Sequence, residues 1–337
     1  MQRVSVITPC LNPGERLVRC LDSVAAQTYD DVEHVIVDGG STDGTVELVR
    51  SRALRVMSEP DRGQTDALNK GFALATGDYL GWLNADDWLV PQALERIVET
   101  FAANPDVGWV YCDCEIRRED GTAEVVRAPA RLGRRSIDFG NRLTQPGVFV
   151  ARWALDSVGP LDEEIHLAMD YDLWLRLLDA DVPAAHISEA LAVFEIHGLS
   201  KTGSVDLSEF YREEAVALFK NGRRRPAAAG LGRAAAAEAL TAEGRVDSDR
   251  LPETIGRFED TAIDWGLESE REVVSRAAFA EAARLELQVT PRGFRHLARP
   301  APWLSGTSLR MILGAASRAP TVIARRMVRR FSQRTSA

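Results

Sequence analysis

The chain has 337 residues, 45% of them apolar, and a formal net charge of −9. At about 150 residues per domain that length exceeds one ordinary core, and the apolar content excludes a largely disordered chain. No run of 18 apolar residues occurs, which excludes a membrane-spanning helix.

Met1-Gln2-Arg3 leads directly into the apolar run Val4 to Thr8, so a buried strand is expected at once and no signal peptide. From Glu15, Leu17, Val18, Leu21, Val24 and Ala25 recur at helical spacing. Val35 to Val37 reads as a second strand, ended by Asp38-Gly39-Gly40, and Ser41 or Thr42 is the expected cap of the next helix. Arg55 to Ser58 predicts a third strand, Leu68, Phe72 and Ala75 a helix face, and Tyr79 to Leu83 a fourth strand. Pro91 suits the first turn of a helix whose buried face is Leu94, Ile97, Val98 and Phe101. Trp109 to Cys112 is the fifth strand.

Strands alternating with helices at this spacing predict an α/β fold with a mostly parallel sheet and helices on both faces. Ligands in such sheets sit beyond the carboxyl ends of the strands. Three of those ends are polar here: Asp38-Gly39-Gly40, Asp61-Arg62-Gly63 and Asn84-Ala85-Asp86-Asp87. Further strands are expected at Gly147 to Ala151 and Ala192 to Ile196. Between them Leu173, Trp174, Leu177 and Leu178 face one side of a helix opened by Asp170 and Asp172. From about Ser208 the chain reads as helical, with boundaries near residue 205 and near Thr290-Pro291. The expected segments are thus 1–205, a helical extension 206–290 and a basic amphipathic tail 291–337.

Adjacent carboxylates at a strand end are costly unless solvated or met by a cation. Asp86 is therefore a candidate ligand for a divalent ion that bridges a diphosphate, as Mg²⁺ does. A capped turn before Trp88 would explain the same pair. His197, just after a strand and before Gly198, can complete such a site as a neutral imidazole and would admit Mn²⁺, or else is a structural or surface histidine. Asp170 is a candidate general base held on a rigid helix, or else an acid that suits the helix dipole. Asp38 can meet a ribose or base edge, or form an Asx turn. No phosphate loop, nucleophile elbow or His-Glu-x-x-His motif is present. Cys10, Cys20, Cys112 and Cys114 lack a second pair at zinc spacing and read as buried thiols.

Taken in order, these segments resemble glycosyltransferase family 2 with the GT-A fold. The matching stretches are residues 4–12, 35–45, 59–63, 67–71, 75–87, 169–177 and 196–202. The resemblance implies an inverting single displacement from a nucleotide diphosphate sugar, UDP-linked by family habit, to an acceptor hydroxyl. It implies donor contacts near Thr8, Pro9, Asn12, Asp38, Gly40, Asp61, Gly63, Asn69, Asn84, Ala85 and Asp86. It makes Asp86 and His197 the ligands of Mn²⁺ or Mg²⁺ and Asp170 the base. It also implies a place in cell-envelope or exopolysaccharide assembly. Two positions depart from the family pattern: Asn84 begins its Asp-x-Asp motif, and Met169 stands where an acid often precedes the base. A nucleotidyltransferase would open with a Gly-rich basic loop where Thr8-Pro9-Cys10-Leu11-Asn12 stands. A relative that only binds a nucleotide sugar would not need Asp86, Asp170 and His197 together.

After Glu286 there is no acid, while Arg292, Arg295, Arg299, Arg310, Arg318, Arg325, Arg326, Arg329, Arg330 and Arg334 follow. A basic tail on an acidic body predicts an anionic contact. With no nucleic-acid reading motif, the expected surface is an anionic membrane presenting a glycan or lipid-linked acceptor on the cytoplasmic side, or else the acidic body itself, with the Arg side chains meeting its carboxylates.

Overall fold

Seven consecutive residues, Val4–Cys10, are buried without alternation, as a strand covered on both faces must be, and form β1. The computed structural model describes residues 2–52, 54–241, 246–247 and 249–289. In it β1 is followed by α1 (Arg16–Ala25), β2 (Val32–Asp38), α2 (Thr45–Ser51), β3 (Arg55–Ser58), α3 (Gln64–Leu74) and β4 (Tyr79–Trp82). Then come β5 (Trp88–Leu89), α4 (Ala93–Ala103), β6 (Trp109–Arg118), β7 (Ala123–Val126), β8 (Val148–Ala151) and α5 (Arg152–Val158). The first unit ends with α6 (Met169–Asp179), β9 (Ala184–Ile196) and the short α7 (Lys201–Ser204).

The strand order is β3-β2-β1-β4-β8-β6-β9-β5, with β7 added on β6. The α/β fold and the parallel set β3-β2-β1-β4 are as expected. Beyond β4 the sheet is mixed: β8 runs antiparallel between β4 and β6, while β6 and β9 are parallel. Gly81 makes the β4–β8 approach possible, since a Cβ there would collide with the ring of Phe149. Strand β9 begins at Ala184, well before the expected Ala192, and its register against β6 shifts around Asp113.

Two helix starts differ from expectation. Helix α2 is entered through Gly44, at φ 89°, and the Asp43 carboxylate accepts the Thr45 N–H at 3.1 Å, so neither Ser41 nor Thr42 caps it. Helix α4 begins at Ala93, which leaves Pro91 in the turn before it. All four cysteines are buried free thiols, as their spacing implied.

The second unit begins at Val205. Its helices are α8 (Leu207–Lys220), capped by Asp206, α9 (Arg224–Glu238), α10 (Leu251–Asp264) and α11 (Arg271–Val289). Small residues let α9 approach its neighbours: Gly230 lies against Ala215 and Gly232 against the Val274 carbonyl. The expected tail, 291–337, lies outside the described residues.

Candidate active site

Pairing register sets Cys10, Asp38 and Ser58 side by side at the carboxyl end of the sheet. The loops leaving there hold one another. Asn12, at φ 48°, donates its N–H to Ser41 Oγ at 2.7 Å and accepts the Thr42 N–H on Oδ1 at 2.8 Å. Asp38 is fully buried, and its carboxylate accepts the N–H groups of Gly40 and Ser41 and the Ser58 hydroxyl at 2.7 Å. Burial alone would raise the Asp38 pKa, but the bonds from Ser41, Ser58 and Gly40 outweigh it and hold the carboxyl below its ordinary value. Asp61 packs so closely on Gly39 that a Cβ there would collide, and its Oδ1 accepts the Gly63 N–H at 2.9 Å. Asn12, Asp38, Gly40, Asp61 and Gly63 are therefore one cluster of loops. Thr8 and Pro9 lie beneath it. Thr8 is buried, with its Oγ1 at 2.9 Å from His34 Nε2, and burial lowers the His34 pKa to about 3.

The end of β4 is held by amides. Asn84 Oδ1 accepts from Gln64 Nε2 at 2.7 Å, and its Nδ2 donates to Asp87 Oδ2 at 3.0 Å. Gln145 Nε2 donates to the Trp82 carbonyl at 2.8 Å and presents Oε1 to Asn84 Nδ2 at 3.4 Å. Asp87 is fully buried, and its Oδ1 accepts the Glu195 N–H at 3.0 Å, which ties the loop to β9. Burial, and then the charge of Asp86, push the Asp87 carboxyl well above the usual carboxylate range. Ala85 packs on the small core of Cys10, Leu17, Leu21, Ile36 and Val49.

That tie brings Asp86 Oδ2 to 3.0 Å from His197 Nε2. Two neighbouring ligands at right angles about an ion with bonds near 2.1 Å stand about 3.0 Å apart, so the pair fits one Mn²⁺ or Mg²⁺. Among the described residues no group of three or more His, Cys, Asp or Glu forms a cage. A cation held here would take its other ligands from diphosphate oxygens and water. His197 Nδ1 accepts the Leu199 N–H at 3.2 Å, so ligation through Nε2 requires the ring proton to move to Nδ1. A cleft of about 480 Å³ opens beside His197, between Arg16 and Arg19 of α1 and the carboxylates of Glu119 and Glu195.

Asp170 stands in the first turn of α6 and is partly exposed. Its Oδ2 accepts from Asn141 Nδ2 at 2.8 Å. Asp172 is buried and pairs with Arg176 at 2.8 Å, so the two acids of this turn do different things. Trp174 locks the helix: its ring stacks between Trp82 at 5.8 Å and Trp109 at 5.6 Å. Trp82 lies two residues before Asn84, so one stack fixes the helix of Asp170 to the strand of Asp86. Asn69 pairs reciprocally with the backbone of Leu161, at 3.0 and 2.9 Å, and so holds the segment leading to Asp170. Sequence reading missed Gln64, Gln145 and Asn141, because a lone amide in a loop carries no spacing signal.

Residues 5–152 match the model of glycosyl transferase family 2. The chain is 33% identical over 204 residues to the O-antigen biosynthesis protein RfbC of Myxococcus xanthus, covering 56% of this chain and 15% of that protein. It is 32% identical over 183 residues to a PGL/p-HBAD biosynthesis glycosyltransferase of Mycobacterium tuberculosis, covering 51% of this chain and 68% of that protein. The structure of S. aureus TarS 1–349 with UDP-GlcNAc has a TM-score of 0.60 at 16% identity, covering 81% of this chain and 90% of that one. The mannosyltransferase PcManGT from Pyrobaculum calidifontis, with GDP-Man and Mn²⁺, has a TM-score of 0.52 at 19% identity, covering 97% and 83%. At such identities these two structures speak for the fold alone. The matched model spans the loops of Asp38, Asp61 and Asp86, and the mycobacterial relative is matched over two thirds of its length; the chain belongs to glycosyltransferase family 2.

Proposed function

We propose that this chain transfers a sugar from a nucleotide diphosphate to an acceptor hydroxyl, with inversion, in the assembly of an envelope or exopolysaccharide glycan. The observation that carries this is the approach of Asp86 to His197 at 3.0 Å, with Asp170 on a helix stacked against the same strand. The glycan context rests on the O-antigen and PGL/p-HBAD relatives. UDP-linked donors are expected first, by resemblance to the family.

In this reading the loops of Asn12, Asp38, Gly40, Asp61 and Gly63 receive the nucleoside, over the buried floor of Thr8 and Pro9. Asn69, Asn84 and Ala85 keep the neighbouring backbone in place. Asp86 and His197 would hold Mn²⁺ or Mg²⁺. The ion, when bound, offsets charge on the leaving group. Asp170 takes the acceptor proton as the hydroxyl oxygen bonds to the anomeric carbon and the bond to the diphosphate breaks. Asn141, on Oδ2, orients that carboxylate.

Thermal shift against nucleotide diphosphates with Mn²⁺, followed by radiolabelled sugar transfer, tests the proposal. EDTA should abolish transfer, and Asp86→Ala should weaken nucleotide diphosphate binding in Mn²⁺. Metal-independent transfer, or unchanged binding by Asp86→Ala, would remove the ion from the reading. The basic tail is proposed to hold the enzyme on the cytoplasmic face of an anionic membrane. Full-length protein should sediment with anionic liposomes at low salt, and protein lacking residues 291–337 should not. Equal pelleting by both would refute the anchor.

A further inference from the structure

The segment between β7 and β8 is tied down twice beside Asp170. The Tyr171 hydroxyl donates to the Ile137 carbonyl, and Asn141 Nδ2 donates to Asp170 Oδ2 at 2.8 Å. Phe139 lies midway, two residues and so about 7 Å of chain from either tie. Ile137 and Gly140 on its two sides are buried, yet Phe139 is 72% exposed. Arg142, next to Asn141, is exposed and makes no hydrogen bond or ion pair among the described residues. Arg134 and Arg135 of the same segment differ: they are engaged by Asp181 at 2.6 Å and Asp138 at 3.3 Å. Residues 127–142 hold five arginines, and their one acid, Asp138, is buried and already paired.

An acceptor hydroxyl must come within about 3 Å of the base, so the rest of the acceptor lies over what surrounds that base. The chain held there carries an open phenyl ring two residues from each tie and an unengaged guanidinium next to Asn141. We propose that residues 137–142 form the acceptor subsite and select an acceptor with a phosphate next to its sugar. Phe139 packs on the sugar ring, and Arg142 pairs with phosphate oxygens through its planar fork. This rests on the assignment of Asp170 as the base. A lipid-linked diphosphate and a phosphodiester polymer share this chemistry.

The test uses full-length protein with UDP or GDP, whichever binds more tightly, saturating the donor side in Mn²⁺. Farnesyl diphosphate, a glycerol phosphodiester oligomer and uncharged octyl glucoside are then titrated calorimetrically. At least one phosphate compound should bind, and Arg142→Gln should weaken it about tenfold while nucleotide affinity stays unchanged. Phe139→Ser should weaken octyl glucoside, which Arg142→Gln should leave alone. Preference for farnesyl diphosphate would name a lipid-linked acceptor, and preference for the oligomer a polymer. The ten arginines after Glu286 are present in every protein compared, so their attraction cancels. Equal phosphate binding by wild type and Arg142→Gln, or none by wild type, overturns the subsite. Failure to bind either nucleotide would sink the transferase reading itself and the subsite with it.

Discussion

Asn84 stands where the family pattern begins with an acid, and its surroundings explain the amide. Its Nδ2 is 3.0 Å from the carboxylate of Asp87, which is fully buried and needs a donor there. Asn84→Asp would replace that donor with a second carboxyl group. We expect a stability loss of about 1–3 kcal/mol, read by denaturant unfolding, with weaker nucleotide binding. If Asn84→Asp is as stable as wild type and binds Mn²⁺ more tightly, Asn84 is a missing ligand and not a brace. At α6, Asp170→Asn should lower turnover by ~10² to 10⁴ with donor affinity nearly unchanged. Asp172→Asn should act on stability instead, because it weakens the buried pair with Arg176, whose Nη1 also holds the Val158 and Gly159 carbonyls. Loss of activity in a stable Asp172→Asn, with Asp170→Asn active, would move the base by one acid.

Among the elements, the contact that joins the helix of Asp170 to the strand leading to Asp86 is the stack Trp82–Trp174–Trp109. The rings lie within 12° of parallel, and both outer rings sit on strands of the sheet. Trp174 is fully buried, so Trp174→Ala leaves a large cavity and should cost about 3–5 kcal/mol. Trp174→Phe, which keeps an aromatic plane, should recover part of the stability and most of the activity. Equal loss of turnover by both variants, with Trp174→Phe stable, would show that the stack does more than hold α6.

Over the whole molecule, the pH dependence of stability has a term that can be separated. Burial lowers the His34 pKa from 6.5 to about 3. The unfolded chain therefore takes up this proton first as pH falls. The stabilisation is fully present above about pH 6.5 and is lost toward pH 3, at about 1.4 kcal/mol per pH unit. Glu33 and Asp66 are held down to about 2 from 4.5 and 3.8, so what they contribute is lost only at more acid pH. Between pH 6.5 and 5, unfolding free energies of wild type should fall, and those of His34→Asn should fall less steeply by about one proton. Parallel curves would assign the acid sensitivity elsewhere.

The sequence alone determined the α/β alternation of the first unit, because strands buried on both faces are unbroken apolar runs and the helices between them repeat at 3.6 residues. It also determined which residue types stand at the strand ends, since Asp38 and Asp86 each interrupt an apolar pattern. Tertiary structure decided the rest. The two-residue β5 and the exposed β7 are strands only because β9 and β6 pair with them, and β8 takes its direction from β4 and β6. The bonds that complete the site join residues far apart in the chain: Asn84 to Gln64, Asp87 to Glu195, Asp170 to Asn141 and Asp86 to His197. Such pairs leave no period in the sequence, because what brings them within 3 Å is the sheet order and the packing of α6, not local spacing.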